Sequence, residues 1–589
     1  MIAKKKEKRV FMKKYIFAVA VILTIVFSAV VVCFYFPKHK ISVNTDAPKQ
    51  ADITDNGKIM NRADRKLISE LIKQTIQDVL DGKKIKYPDL RNYPAKWSAN
   101  KVVYTTLNIG NTLRGCQGNF NNPKPLLYAI IDAAHNAAFN DPRFPKLTQQ
   151  EFDNPDFNFY ITILNEPKPL LFRTEQDIVH KLKPFQHGLY LTYEDDNNIK
   201  KRGLFLPSVW KKNPAPWQFW LRLKKKAHIR ENFFSDRFKV YYLPAETIRD
   251  FRFMIKQDEK RIQQALSAFK KLFQPDGHIT YKIDFGKGIS SAKNNIVREM
   301  GSGYGLAYAY YVTHDASLQP LIKNFLKYAQ SATVSYQNGK LIADNQHKIS
   351  SGATALALLA VLYYEQETKS DDFESFRIDL KNALVSLFNP DIGVYRSPYD
   401  KTTSPYYDGE TWLALTMYNI FHPDDEAISN LIPQLNKTMY DKYSDSYLGN
   451  FFHWGTQVAA HQYAHYQDPL MYDYLKKQLN IYIDNIMFHL SAGSCSYVEG
   501  LSEAALALQN KDHELYNKIL LRMENQLDTV RLLQEIPFRE NARGQVVHEM
   551  KPLLGLFLND YKSLITRSDA TQHCLSALLK AQMVFHDAP

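Results

Sequence analysis

Six segments rich in alanine, glycine and serine recur through the C-terminal half of this 589-residue chain, and they constrain its fold more than any other feature. They occupy 301–311, 350–360, 408–418, 454–463, 499–508 and 569–578, beginning ~45 to 70 residues apart, the span of one helical hairpin with its loops. Between them lie longer amphipathic stretches with charged faces, at 317–332, 371–387, 424–440, 469–487 and 512–532. Small side chains let inner helices approach closely around an axis, and charged faces suit an outer layer. With 256–273 supplying an outer helix ahead of the first inner one, six pairs close a circle. The pattern therefore predicts an all-α (α/α)6 toroid over 255–589.

Inner-helix starts in such a ring open onto one face, where exposed amides and helix dipoles favour anionic or polyhydroxy ligands. The residues at those starts are the candidate site. Glycoside cleavage needs a protonated carboxyl at the leaving oxygen and a second carboxylate. Asp408 or Glu410 across the funnel from Glu499 or Glu503 meets that need. Lyase or epimerase chemistry instead moves a proton next to a carboxylate, for which Tyr407, Tyr497 and His453 are candidates, with Arg298 neutralising charge. Tyr304, Tyr497 and Trp454 are further candidates for holding substrate, the last by stacking on a sugar ring. The alternative for each acid is a helix-capping role, and for each aromatic a place in the core. No His, Asp or Cys spacing suggests a dedicated metal site, and no cofactor is expected. The arrangement resembles the six-hairpin toroids of glycoside hydrolases, polysaccharide lyases and sugar epimerases, with Tyr406-Tyr407-Asp408-Gly409-Glu410 its most suggestive piece. That resemblance implies a glycan or envelope polymer as partner.

The preceding 65–250 mixes helices and short strands without a βαβ beat, which predicts an α+β domain. A helical stripe covers 65–81, and β-rich runs occupy 102–107, 157–164, 188–191 and 203–206. Leu113-Arg114-Gly115-Cys116-Gln117-Gly118, Asp141-Pro142-Arg143-Phe144-Pro145, Glu166-Pro167, Gly203-Leu204-Phe205-Leu206-Pro207 and Lys226-Ala227 follow in the order seen in the AMMECR family, which this region resembles. The resemblance implies a compact α+β fold and marks Arg114, Gly115, Cys116, Gly118 and Arg143 as motif residues. A cation beside Cys116 would favour the thiolate, with His135 or His187 as base. The alternative is a cysteine packed in a glycine turn, with Arg114 paired to Asp141.

At the N-terminus, 15–36 is 22 residues without a charge, long enough to span a bilayer. Lys4, Lys5, Lys6, Lys8, Arg9, Lys13 and Lys14 precede it, so the positive-inside bias predicts a cytoplasmic tail (1–14), an inner-membrane anchor (15–36), a linker (37–64) and an extracytoplasmic body. A cleaved signal peptide would carry a small-residue cleavage site, where Phe34-Tyr35-Phe36-Pro37 stands instead. The net charge of +14 owes much to that tail, and the remainder is too mild for nucleic-acid binding. Of the four cysteines, Cys33 falls in the apolar run. Cys116, Cys495 and Cys574 allow at most one bridge, and Cys495 reads as a packed small residue. The functional expectation is a membrane-anchored protein whose toroid binds or processes carbohydrate. The alternatives are a non-catalytic envelope scaffold, or thiol chemistry at Cys116.

Overall fold

The computed structural model describes residues 60–586, apart from 61, 111, 183, 185–186, 213–214, 250, 292–294, 487–489 and 536–545. These described residues form one compact unit. The first part comprises α1 (Arg62–Leu80), β1 (Asn100–Ile109), β2 (Thr112–Gly118), β3 (Lys124–Pro125), α2 (Leu126–Phe139), α3 (Gln149–Phe152), β4 (Phe157–Leu164), β5 (Lys168–Pro169), α4 (Glu175–Lys181), β6 (His187–Glu194), β7 (Lys200–Phe205), α5 (Pro216–Lys226) and β8 (Lys239–Arg249). These strands form an eight-stranded sheet in the order β2-β1-β4-β8-β6-β7, with β3 on β1 and β5 on β8. Its pairings are antiparallel. Alternation along β4 turns Phe159, Ile161 and Ile163 onto one face, where α2 buries Leu127, Ile130 and Ala134 and α1 adds Ile68, Ile72 and Ile76.

The second part consists of α6 (Phe251–Phe269), α7 (Ile296–Thr313), α8 (Gln319–Ser331), α9 (Ser351–Thr368), α10 (Glu374–Leu387), α11 (Pro405–Phe421), α12 (Glu426–Tyr443), α13 (Gly449–Tyr466), α14 (Pro469–Asn485), α15 (Gly493–Leu508), α16 (His513–Glu535) and α17 (Ser568–His586). Helices α7, α9, α11, α13, α15 and α17 pack each on the next, and α17 returns onto α7, so the ring closes. Each outer helix packs on an inner one. The inner helices are buried around most of their circumference, because alanine, glycine and serine leave room for neighbours on both sides and an outer helix behind. Asn295 and Ser350 cap α7 and α9 by accepting from the Arg298 and Ala353 amides.

The sheet domain and the ring meet along a buried ionic seam. Arg65 on α1 donates to Glu524 on α16 at 2.7 Å. Arg249, at the end of β8, reaches Asp528 at 2.5 Å, and Lys211 reaches the same carboxylate at 3.1 Å. Arg531 joins Asp528 at 3.3 Å and forks onto Asp258 of α6 at 2.6 and 2.9 Å. Planar forks matched to carboxylates fix orientation as well as proximity.

The ring also carries a disulfide between Cys495 on α15 and Cys574 on α17. This corrects the reading of Cys495 as a packed small residue. Joining residues 79 apart is worth about 4.5 kcal/mol in the chain-entropy account of cross-linking. The double variant Cys495→Ser with Cys574→Ser should lose stability of that order in chemical denaturation. A loss below about 1 kcal/mol would show that this bridge does not restrain the unfolded chain.

The fold class needs a second correction. The anchor expected over 15–36, and the single-pass inner-membrane placement built on it, find no support. No helix among the described residues is long and apolar enough to cross a membrane, and 15–36 lies outside them. The architecture is an α+β domain followed by a helical ring whose loops carry short two- and three-stranded sheets.

Candidate functional site

The starts of the inner helices surround a cavity of about 650 Å³. Around its rim stand Tyr406, Tyr407 and Glu410 from α11, His453 and Trp454 from α13, Tyr497 from α15, and Asp569 and His573 from α17. Arg298, Arg396 and Arg567 supply positive charge to the same wall.

Glu410 is 5% exposed and lines this cavity, and its Oε2 has no hydrogen-bond partner among the described residues. Gly352 on α9 makes the space: a Cβ there would lie 2.1 Å from Glu410 Oε2 and 2.5 Å from Tyr407 Cδ1. Burial pushes the Glu410 carboxyl up to about 8, so it is protonated at neutral pH. A carboxylic acid kept neutral in the wall of a cavity, with no hydrogen bond holding its buried Oε2, is equipped to donate a proton.

Beside it, three neighbouring inner helices each bring one titratable group to the same level. His453 lies in the second turn of α13, Glu499 in that of α15 and His573 in that of α17. His573 Nδ1 and Glu499 Oε2 are 2.7 Å apart, and the His453 and His573 rings meet edge to face at 5.5 Å. Burial works to lower His573, but the Glu499 carboxylate outweighs it and holds the imidazole above its ordinary value. His453 is held well below its ordinary value by burial, with His573 and Lys580 adding to the effect. Neither His453 ring nitrogen has a hydrogen-bond partner among the described residues, and neither does Trp454 Nε1.

The other candidates from the sequence are placed differently. Asp408 turns away from the cavity: it accepts from the Val394 amide at 2.7 Å and the Tyr443 hydroxyl at 2.5 Å, and pairs with Lys442 at 2.7 Å. Glu503 lies one turn deeper than Glu499 and is bound to Lys580 at 2.6 Å. Tyr304 is buried beneath the site against Tyr308 and Tyr363. Arg298 pairs with Asp569 at 3.2 Å, and Arg567 holds that same carboxylate at 3.0 Å. Tyr407 carries Arg396 over its ring, and Tyr497 packs on Phe452 and Tyr482. Sequence reasoning misses His573, Asp569, Arg396 and Arg567. Asp569 opens the sixth repeat and His573 lies within it, so gathering the helix starts could have included both, whereas Arg396 and Arg567 lie outside the repeats.

In the sheet domain, Gly115 is required by close packing, since a Cβ there would lie 2.0 Å from the Ala137 carbonyl oxygen on α2. A Cβ on Gly118 would lie 2.4 Å from the Val103 oxygen. Arg114 forks onto Glu151 at 2.7 and 2.9 Å rather than pairing with Asp141. Asp141 instead holds Arg143 at 2.6 Å and accepts from the Cys116 amide at 2.8 Å. Burial pushes the Cys116 thiol up, against the smaller opposing effects of Thr106 and Arg143, so the thiolate is disfavoured. His135 stacks on Phe139, and His187 on Tyr242.

Several known proteins are similar to parts of the chain. A family 76 glycoside hydrolase from a bovine Bacteroides thetaiotaomicron strain aligns with 72% of this chain and 96% of its own, at 7% identity and a TM-score of 0.44. An uncharacterised protein from Pyrococcus horikoshii covers 31% of this chain and 88% of its own, at 28% identity and a TM-score of 0.27. An Aquifex aeolicus protein is 30% identical over 194 residues, spanning 31% of this chain and 92% of the relative. A Nanoarchaeum equitans protein is 30% identical over 143 residues, spanning 24% and 74%. The AMMECR1 family profile matches residues 69–248, and through this domain the chain belongs to the AMMECR1 family.

Proposed function

We propose that the ring is an enzyme domain acting on carbohydrate by acid–base chemistry, with Glu410 as the proton donor to a glycosidic oxygen. The observation carrying this reading is the Glu410 carboxyl, buried, unpartnered and facing a cavity large enough for a sugar chain. Tyr406, 49% exposed at the cavity, offers a flat apolar face of the kind that sugar rings stack on. Arg298, Arg396 and Arg567 favour a substrate carrying carboxylates, as uronic acids do. His453, His573 and Glu499, gathered beside Glu410, form the group at which the attacking water loses its proton. Asp408 holds α11 to α12 and the 393–394 turn, and takes no part in the chemistry.

The test is turnover of a panel of neutral and uronic-acid-containing oligosaccharides by the wild type and by Glu410→Gln. Loss of a positioned general acid costs roughly a hundredfold to ten-thousandfold in rate. A panel in which some substrate is cleaved and the variant is slowed by that factor supports the assignment. Equal turnover by both proteins removes Glu410 from the mechanism.

A further inference from the structure

We propose that His453, Glu499 and His573 form a binding site for a divalent cation of the zinc class, open to the cavity on one side. One ligand atom from each residue lies within 4.8 Å of the other two. Tetrahedral bonds of about 2.0–2.2 Å to histidine nitrogen and carboxylate oxygen place ligand atoms about 3.4 Å apart. The three side chains therefore need shifts of about an ångström to close on an ion.

The independent observation is His453 itself. It is 4% exposed, and neither of its ring nitrogens has a hydrogen-bond partner among the described residues. A buried imidazole with both nitrogens unsatisfied costs free energy that some bound species must offset. Its ring lies against the cavity wall and faces His573 edge to face, so what satisfies it enters from the cavity. Glu499 is 2% exposed, a carboxylate bonded to His573 at 2.7 Å. A water could satisfy one His453 nitrogen. A cation satisfies that nitrogen and takes the neighbouring Glu499 carboxylate and His573 as further ligands.

The support behind these ligands is rigid. The Cys495–Cys574 disulfide ties α15 to α17 one turn before Glu499 and immediately after His573. A Cβ on Gly500 would lie 2.2 Å from Thr456 Oγ1 and 3.2 Å from His453 Cα, which brings α15 close against α13 at this level. Two histidines and one carboxylate with an open fourth position form a donor set that suits zinc and its neighbours rather than calcium or magnesium. An ion held there would present a water to the space that Glu410 also faces, and would lower that water's pKa toward neutrality. The binding claim does not depend on the carbohydrate reading, because ion uptake is measured directly.

The experiment is titration of metal-stripped full-length protein with Zn²⁺ alone, followed by calorimetry. Co²⁺ is used in parallel as a spectroscopic probe of coordination. One equivalent should bind, with the intense visible absorption of four-coordinate Co²⁺. His453→Ala and the isosteric Glu499→Gln should each weaken uptake by about a hundredfold or more. Glu410→Gln should bind Zn²⁺ as the wild type does, so loss of catalysis and loss of the ion are separable. Absence of stoichiometric uptake, or uptake unchanged in both ligand variants while their far-UV spectra remain native, overturns the site.

Discussion

Replacing Asp528 with asparagine should lower the stability of the protein by roughly 3–5 kcal/mol, the cost of leaving the largely buried Arg249 and Arg531 without their counter-charge. Asp528 takes Arg249 at 2.5 Å, Lys211 at 3.1 Å and Arg531 at 3.3 Å, in a seam between the sheet domain and α16. Burial works to raise its carboxyl, but Arg249, Lys211 and Arg531 outweigh it and hold the group at about 2. Because the folded value is depressed, the stabilisation is present above the unfolded value of 3.8 and is lost as pH falls toward about 2. The contrast is Lys437–Asp441, at 2.6 Å along one exposed helix face. Asp441→Asn should change stability by less than about 1 kcal/mol. Urea denaturation at pH 7 separates the two cases. If Asp528→Asn costs no more than Asp441→Asn, the seam does not hold the domains together.

The ring was legible in the sequence because a helix surrounded by other helices needs small residues all round. Six such stretches at hairpin spacing suit little besides a closed double layer of helices. Helix ends were less visible. Inner helices α7, α9 and α13 end at His314, Lys369 and Gln467 in the left-handed conformation, where no glycine signals a stop. The acids at the helix starts could be collected from the sequence but not sorted. Asp408 and Glu410 are two residues apart, and side chains at that spacing on a helix point to nearly opposite sides. One of the pair had to face away, and nothing local says which. Glu499 and Glu503 share a face but differ in depth by one turn, enough to put the first beside His573 and the second on Lys580. His573 lies within the sixth repeat, but its partners lie 74 and 120 residues back along the chain. In the sheet domain, the motif order pointed to the family, while the partner of Arg114 was not legible. Glu151 and Asp141 are both acidic and both near in sequence, and only the capping box at Thr148 fixes Glu151 beneath the guanidinium.

Glu410→Gln should separate stability from catalysis in opposite directions. The folded protein holds this carboxyl at about 8 by burial, against an ordinary value of 4.5. With a raised folded value, the contribution is fully present below about 4.5 and is lost as pH climbs through about 8, because the unfolded chain ionises freely while the folded one cannot. At roughly 1.4 kcal/mol per pH unit, the wild type gives up on the order of 5 kcal/mol across that interval. Glutamine fills the same space and never ionises, so the variant escapes the loss. Compared by denaturation at pH 5 and pH 9, the variant should be close to the wild type at the lower pH and several kcal/mol more stable at the higher one. Its turnover should be depressed at both. A carboxyl that weakens the fold yet sits unpartnered at a cavity is what a functional demand leaves behind, since a cationic or amide donor placed nearby would relieve the cost at once. If wild type and variant share one pH dependence of stability, the carboxyl ionises normally in the fold. In that case Glu410 has no proton to give at neutral pH, and the acid–base reading loses its donor.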